Sequence, residues 1–251
     1  MSKLARAYGL ARSIGMYYGI PLRARRLRRF YSQFVSAGDL CFDVGAHVGN
    51  RVRCFRQLGA RVVAIEPQPD FVRLLRLLYG RDRDVVIVPS AIGRAAGSAT
   101  LLVSERTHTV TTLSADWRAS VESLPSFAGV RWSEQREVPV LTLQDLIAQH
   151  GTPSFVKIDV EGYEAEVLAG LEVAVSALSF EFSPAAPALA LDCVARLEEL
   201  GRYRYNWSLG ESHELASSAW VDGAEVRAML NALPRQAPSG DIYAIRDRRR
   251  N

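Results

Sequence analysis

Apolar and polar positions follow two different spacings along this chain, and the alternation between them predicts its secondary structure. From residue 40 onward, short apolar runs rich in β-branched residues alternate with longer segments whose apolar residues recur every three or four positions. The predicted strands cover residues 40–44, 60–67, 84–92, 98–104, 154–160, 177–182, 203–207 and 241–245. The predicted helices cover residues 22–35, 49–58, 69–79, 142–151, 161–169 and 185–200. Strands that alternate with helices of this length indicate βαβ units, so the fold class is α/β with a parallel sheet.

Two parts of the chain lie outside this regular alternation. Apolar residues at helical spacing predict an amphipathic helix over residues 4–18. We interpret the whole segment 1–37 as a basic helical arm that precedes a domain of residues 38–251. Residues 105–135 carry polar residues, Gly and Pro without a clear period, and we interpret them as a lid or a substrate-specificity insertion.

The composition indicates a single folded domain in a reducing environment. Of the 251 residues, 48% are apolar, which is enough for a full core, and no run of about 18 apolar residues exists that would span a membrane. The N-terminus does not form a convincing signal peptide, because Arg12 and Gly15 interrupt its only apolar stretch. Three cysteines without metal spacing, Cys41, Cys54 and Cys193, indicate a cytoplasmic location.

The positive charge is concentrated at the N-terminus. Residues 1–38 hold eight basic and no acidic residues, whereas the remainder holds 23 basic and 27 acidic residues, so the net charge of +4 hides a cationic arm. This arm is open to several interpretations: a solvated face, binding to anionic lipids or nucleic acid by charge alone, a homodimer contact, or packing over a cofactor. We expect structural or substrate-covering helices and no nucleic-acid partner, because basic and aromatic residues do not alternate as in RNA-binding modules.

The segment FDVGAHVGN, residues 42–50, places an acid at the tip of the first strand of the alternating region and a glycine turn directly after it. A dinucleotide-binding turn would read G-x-G-x-x-G to bring a pyrophosphate to the helix N-terminus, but this turn reads D-x-G-x-x-x-G. Asp43 would repel a pyrophosphate but suits a ligand that carries an ammonium and a sulfonium, which indicates S-adenosylmethionine. The alternative is that Asp43 only caps the following helix. The candidate cofactor-binding residues of the turn are Asp43, Gly45, Ala46, Gly49 and Asn50.

A second acid supports the same cofactor. Glu66, in AIEPQP, ends the next predicted strand and is placed to accept hydrogen bonds from both ribose hydroxyls, with Pro67 directly after it. At the end of the third predicted strand, Ser90 and Ala91 are small residues that can border an adenine, although a plain strand-to-turn junction would look the same.

The segment FVKIDVEGYEAEVLAGL, residues 155–171, carries a second group of charged residues. Lys157 and Asp159 share one face of the predicted strand, and Asp159 and Glu161 fall at its carboxyl end. Glu181 ends the following predicted strand, so three carboxylates and a lysine can meet in one cleft. Burying such groups is costly unless they pair or take part in the chemistry.

These motifs together resemble the FkbM family of S-adenosylmethionine-dependent methyltransferases. The resemblance rests on DVGAHVGN, VVAIEPQP, SAIG and above all FVKIDVEGYEAEVLAGL, and it covers about residues 38–182. It implies a Rossmann-like class I methyltransferase fold with a mostly parallel seven-stranded sheet and helices on both faces. It also implies O-methylation of a hydroxyl on a sugar, a polyketide or another secondary metabolite. Asp43, Gly45 and Glu66 match the family's cofactor positions, and Asp159 and Glu161 match its second motif.

Transfer of a methyl group to a hydroxyl requires alignment of the reactants and benefits from a general base. The candidate catalytic residues are Asp159 and Glu161 first, then Glu181 and Lys157, with His47 and His108 as weaker candidates. Lys157 either holds one of the acids ionised or forms a structural ion pair. The spacing of the acids does not require Mg²⁺, so no metal is predicted.

Two other functions stay open from the sequence. A nicotinamide-dependent oxidoreductase can use the same kind of sheet, but the missing G-x-G-x-x-G turn and Asp43 disfavour it. A non-catalytic protein can bind nucleic acid or a membrane surface through the basic arm, but the four acids Asp43, Glu66, Asp159 and Glu161 would then be costly without a function. Methylation of nitrogen is disfavoured only by the absence of an asparagine- or aspartate-proline-proline-tyrosine motif.

Overall fold

The computed structural model describes residues 21–104, 110–124 and 127–247 of the chain. Its helices are α1 (Pro21–Tyr31), α2 (Asn50–Gln57), α3 (Pro69–Tyr79), α4 (Ala115–Val121), α5 (Leu143–His150), α6 (Glu164–Ala169), α7 (Pro187–Leu200) and α8 (Gly223–Ala232). Its strands are β1 (Leu40–Val44), β2 (Arg61–Ile65), β3 (Val85–Val88), β4 (Ala91–Ile92), β5 (Gly97–Ser104), β6 (Trp132–Leu141), β7 (Phe155–Ile158), β8 (Ala177–Phe182), β9 (Tyr203–Leu209) and β10 (Gly240–Arg246). The predicted helix over residues 4–18 and the candidate His108 lie outside the described residues.

Seven strands form the main sheet in the order β3-β2-β1-β7-β8-β10-β9, and β10 runs antiparallel to both of its neighbours. This confirms the predicted α/β fold with a mostly parallel seven-stranded sheet. β1 pairs with β2 on one side and with β7 on the other, so the strand order reverses at β1. Open α/β sheets bind ligands in the crevice beyond the carboxyl ends of the strands at such a switch point.

The main sheet is buried on both faces. Alternate residues of β1 enter two separate hydrophobic clusters: Phe42 packs in the cluster that contains residues of α5, α6 and α7, whereas Cys41 packs in the cluster that contains residues of α1 and α2. Successive side chains of a strand point to opposite faces, so helices cover the sheet on both sides. Strands buried in this way read as continuous apolar runs, which is why β1 and β8 were predicted with their observed bounds.

The prediction of one strand over residues 84–92 is wrong, because this segment forms two strands in different sheets. β3 ends at Val88 and pairs with β2 in the main sheet, while β4 pairs with β6 in a second sheet of order β4-β6-β5. Pro89, which has no backbone N–H, lies between them, directly after the last residue of the edge strand β3. The chain therefore leaves the main sheet at the proline.

The segment 105–135 is more regular than the sequence indicated, since its described part contains α4 and the start of β6. Along β6 the burial alternates over most of its length, because much of one face is exposed, and this pattern of polar residues hid the strand. α8 was also missed, although Asp222 and Glu225 form a capping box at its start. The role of residues 105–135 as a lid or specificity insertion stays a prediction.

The helix α1 packs an aromatic face against the main sheet. Tyr31 is fully buried and its ring centroid lies 5.6 Å from that of Phe155 in β7. Just beyond the helix, Phe34 stacks on Tyr243 of β10, with centroids 5.3 Å apart and an angle of 7° between the ring planes. The opposite face of α1 exposes Arg25, Arg26, Arg28 and Arg29.

Many apolar side chains are buried in the core, whereas Leu77, Leu78, Val86 and Val173 are exposed. None of the helices in the described ranges is both long and apolar enough to cross a lipid bilayer. All three cysteines are buried and carry free thiols. Burial raises the pKa of the Cys54 thiol to about 12, so this side chain is an inert core residue.

Candidate active site

The glycine turn after β1 brings two strand ends into direct contact. Asp43 pairs in register with Ala64 of β2 and Lys157 of β7, so it lies at the centre of the sheet's carboxyl edge. Gly45 has a φ of +84°, and a Cβ atom there would lie 1.9 Å from the carbonyl oxygen of Asp159. Only glycine allows the turns after β1 and β7 to approach this closely.

Asp43 is a buried carboxyl with an unused oxygen. It is 1% exposed, and its Oδ2 atom has no hydrogen-bond partner among the described residues. Burial raises its pKa to about 7, although the positive charges of Arg51 and Lys157 oppose the rise. A buried oxygen without a partner costs free energy unless a ligand or water donates to it, so the site fits a cationic ligand.

Glu66, at the end of β2, is fixed by the backbone around it. Its Oε2 atom accepts a hydrogen bond of 2.9 Å from the His47 N–H, and its Oε1 atom accepts one of 2.8 Å from the Gln68 N–H. Burial outweighs these two bonds and raises the pKa of Glu66 to about 7. Each carboxylate oxygen keeps a second lone pair, so the pair can still accept hydrogen bonds from two neighbouring hydroxyls.

A cavity of about 920 Å³, including space open to solvent, occupies the crevice at this edge. Seven of the predicted cofactor residues line it: Asp43, Gly45, Asn50, Glu66, Pro67, Ser90 and Ala91. His47 lines it too, and its ring packs on Phe71 with centroids 4.0 Å apart. The other two predicted residues, Ala46 and Gly49, do not line the cavity. Ala46 is buried, and the Gly49 carbonyl accepts a hydrogen bond from the Tyr79 hydroxyl at 3.0 Å.

Two charged residues of this cavity were not predicted from the sequence. Arg51 is buried, its guanidinium carbon lies 5.8 Å from the centre of the Tyr31 ring, and it lies 3.8 Å from a carboxylate oxygen of Glu211. Arg51 lies in the first turn of α2, where the helix dipole disfavours a positive charge. This unfavourable position is a feature of the sequence that indicates a functional role for Arg51. Glu211 follows β9, far along the chain, and no local pattern marks it.

Lys157 does not line this cavity and instead supports the carboxylates. It is fully buried, with its Nζ atom 2.6 Å from Asp241 Oδ1 and 3.3 Å from Asp159 Oδ2. Burial alone would lower its pKa, but the charges of Asp159 and Asp241 raise it well above the ordinary value. The lysine is therefore a cation that holds Asp159 in place.

The turn after β7 presents Glu161 in a left-handed conformation. Glu161 has a φ of +53°, and Gly162 after it has a φ of +86°. The Glu164 Oε1 atom accepts hydrogen bonds from the N–H groups of Val160 (3.1 Å) and Gly162 (3.2 Å), which closes the turn. From the opposite side, the Thr112 hydroxyl donates to the Glu161 carbonyl at 2.6 Å.

The three predicted acids come together as one cluster. One carboxylate oxygen from each of Asp159, Glu161 and Glu181 lies within 4.8 Å of the others, and all three residues are half-buried. Burial, and then the neighbouring carboxylates, raise the pKa of both Glu161 and Glu181 well above the ordinary value. Carboxyl groups this close titrate together and can hold a shared proton. The same distances would suit a divalent cation, but a cluster of acids alone does not establish one, and metal independence stays a prediction.

A second cavity, of about 1290 Å³ including open space, lies on the other side of this cluster. Glu161 and Glu181 line it, together with Trp117 of α4 and residues of the loop between α8 and β10. Glu161 lines the first cavity as well. The two cavities therefore meet at the carboxylate cluster, and a ligand in one can reach a ligand in the other there.

Comparisons with known proteins agree with this geometry. Residues 43–233 match the methyltransferase FkbM domain family. A curated relative, the hexuronic acid methyltransferase AglP of Haloferax volcanii, is 29% identical over 149 residues, which are 57% of this chain and 54% of the relative. The chain thus spans about half the length of this relative.

Solved structures give more distant similarities. The precorrin-6y C5,15-methyltransferase of Geobacter metallireducens aligns with a TM-score of 0.46 and 13% identity, over 90% of this chain and 87% of that one. An rRNA methylase of Streptococcus thermophilus aligns with a TM-score of 0.45 and 9% identity, over 87% of this chain and 93% of that one. Similarity at this level says nothing about the substrate.

Proposed function

Because the chain belongs to the FkbM methyltransferase family, we propose that it transfers the methyl group of S-adenosylmethionine to a hydroxyl oxygen of a small molecule. Family membership confirms the resemblance drawn from the motifs and the predicted cofactor. The nicotinamide oxidoreductase left open by the sequence is therefore set aside. The observation that carries the finer proposal is the meeting of two cavities at Glu161, beside two further carboxylates.

The first cavity fits the cofactor at both of its ends. The unpartnered buried oxygen of Asp43 suits a cationic group, which the methionine end supplies. The two oxygens of Glu66 have lone pairs left for the ribose hydroxyls. Small residues Ser90 and Ala91 border the same cavity, where an adenine requires a narrow, partly apolar slot.

The second cavity is the place for the acceptor. When bound, the cofactor would supply an activated methyl carbon, with its thioether sulfur as the leaving group for an oxygen nucleophile that attacks in line. The cluster of Asp159, Glu161 and Glu181 would take the proton that the acceptor hydroxyl loses when its oxygen bonds to that carbon. Lys157, held by Asp241, keeps Asp159 oriented toward that hydroxyl. The general base therefore lies at the boundary of the two cavities.

The acceptor is proposed to be a sugar-like molecule. The name of the curated relative specifies a hexuronic acid, and the second cavity is large enough for a sugar ring with substituents. A cytoplasmic location remains our expectation, supported by three free buried thiols.

The test is methyl transfer from ¹³C-methyl-labelled S-adenosylmethionine to a panel of sugars and sugar acids. We expect S-adenosylhomocysteine to form with an acceptor and the label to appear as a methoxy carbon, which resonates downfield of an N-methyl carbon. Glu161→Gln should lower turnover about 100-fold, the effect of losing a general base, while the exposed Glu172→Gln should leave it unchanged. A label found on nitrogen or carbon, or a Glu161→Gln variant with full activity, would contradict the proposal.

A further inference from the structure

Side chains of both charges line the second cavity. The acids Glu161, Glu164 and Glu181 line it, and Glu161 lines the cofactor cavity as well. The loop between α8 and β10 forms another side and brings Arg235 to the lining. Among the described residues that line this cavity, Arg235 is the one with a positive charge. A ligand in the cavity therefore meets carboxylates at one place and a guanidinium at another.

Much of the remaining wall of this cavity is apolar. Trp117 and Phe127 meet edge to face with ring centroids 5.7 Å apart, and Phe182 and Leu189 line the cavity with them. Gly162 leaves room for Trp117, because a Cβ at that position would lie 2.1 Å from the indole ring. Such a wall suits the apolar face of a sugar ring better than a fully hydrated ion.

Arg235 is not used by the fold. It is exposed, and it makes no hydrogen bond or ion pair with any residue in the part of the chain that the structure describes. The arginines of the adjacent helices are used differently: Arg196 pairs with Glu199 at 2.7 Å, and Arg227 pairs with Glu198. The guanidinium of Arg235 keeps all its donors available to a ligand.

We propose that the second cavity binds an acceptor with a carboxylate substituent, which Arg235 holds while the target hydroxyl faces Glu161. This inference rests on the proposed function of the two cavities. An arginine binds a carboxylate through two parallel hydrogen bonds, so it fixes orientation as well as charge. The acids at the boundary with the cofactor cavity repel the substituent, and the acceptor therefore binds in one direction only. Arg235 is the specificity-determining residue, and the substrate class is a sugar acid.

The experiment compares the binding of glucuronate, glucose and glucose 6-phosphate to the full chain saturated with S-adenosylhomocysteine. Ligand-observed saturation-transfer NMR at low ionic strength gives the dissociation constants. We expect glucuronate to bind about tenfold more tightly than glucose, as for one charge-assisted contact at a partly exposed site. Arg235→Gln should abolish the difference. Arg61→Gln removes the same charge from an exposed position at the amino end of β2, away from the cavities. This variant should keep the preference for glucuronate.

Each outcome decides the proposal. Equal binding of glucuronate and glucose, no detectable binding of glucuronate, or an unchanged preference in Arg235→Gln would overturn it. Tighter binding of glucose 6-phosphate than of glucuronate would overturn the carboxylate and assign a phosphate. Calorimetric titration with S-adenosylhomocysteine, run on the same samples, distinguishes failure of the carboxylate proposal from failure of the proposed function. If the unaltered chain does not bind S-adenosylhomocysteine, the proposed function itself is refuted. Thermal unfolding of both variants shows that they are folded.

Discussion

Replacing Gly162 with alanine tests how the turn after β7 is built. Gly162 has a φ of +86°, and a Cβ there would lie 2.1 Å from the ring of Trp117. Gly38 has the same φ of +86° but nothing within 4 Å of its Cβ position, so it is a matched control. The backbone change is identical at the two sites, and only one of them adds a collision.

The magnitudes follow from this difference. An alanine in the left-handed region costs about 1–2 kcal/mol, offset by about 0.4–1 kcal/mol because the unfolded chain loses freedom. Gly38→Ala should therefore lower the free energy of unfolding by about 1 kcal/mol. Gly162→Ala adds overpacking of about 1–3 kcal/mol, so we expect a total of about 2–4 kcal/mol. The collision also displaces Glu161, and turnover should fall with stability.

Urea unfolding followed by fluorescence and circular dichroism measures both variants. The double variant Gly162→Ala/Trp117→Ala should be less destabilised than the sum of its single changes by the about 1–3 kcal/mol of overpacking. Equal losses for Gly38→Ala and Gly162→Ala, or strictly additive behaviour in the double variant, would refute this account of the turn.

Four further outcomes are expected. Glu66→Ala should weaken binding of S-adenosylhomocysteine about 10- to 100-fold, measured by calorimetry, because two hydrogen bonds from the ribose to a buried acid are lost. Asp159→Asn should lower turnover far more than cofactor affinity, since Asp159 acts on the acceptor. EDTA should leave activity intact. Burial raises the pKa of Asp43 to about 7, so the folded chain keeps a proton that the unfolded chain releases near pH 4. This carboxyl therefore makes unliganded stability fall as the pH rises from about 4 to about 7, and Asp43→Asn should remove that part of the slope in urea midpoints.

The same experiments identify the opposite outcomes. An unchanged affinity in Glu66→Ala would rule out its ribose contact, and a collapse of affinity in Asp159→Asn would move that residue to the cofactor site. Activity lost in EDTA and restored by Mg²⁺ would show that the acid cluster binds a metal. For Asp43, a pH slope that is identical in the two proteins would show that its proton is not retained on folding.

Local sequence pattern predicted most strands of the main sheet because each of them is one continuous run of apolar residues. β1 and β8 are apolar runs buried on both faces, and α3 starts with Pro69, a residue favoured at the first helical position. The split at Pro89 and the half-exposed strand β6 were missed because each depends on which strand lies alongside. Which face of a strand is buried depends on tertiary contacts, and a short stretch of sequence does not reveal these contacts.

The candidate site divides in the same way. The acids Asp43, Glu66 and Asp159 stand at strand ends, where topology alone brings them to one edge. The wall of the second cavity joins Trp117 of α4 to Arg235 of the loop before β10, and only the folded chain places them on one cavity. The buried Lys157 could be anticipated as a partner of Asp159, but its shorter contact with Asp241 could not.

The stack of Phe34 on Tyr243 has a consequence for how the protein is made. These rings lie about 200 residues apart in the chain, in the loop after α1 and in the last strand of the main sheet. During synthesis Tyr243 leaves the ribosome about 200 residues after Phe34, so Phe34 lacks this stacking partner while the residues between them emerge. Closing so long a loop costs chain entropy before the stacking contact can form, and this slows folding. The nascent chain therefore exposes the face of Phe34 that Tyr243 covers until β10 has been synthesised and has joined the sheet.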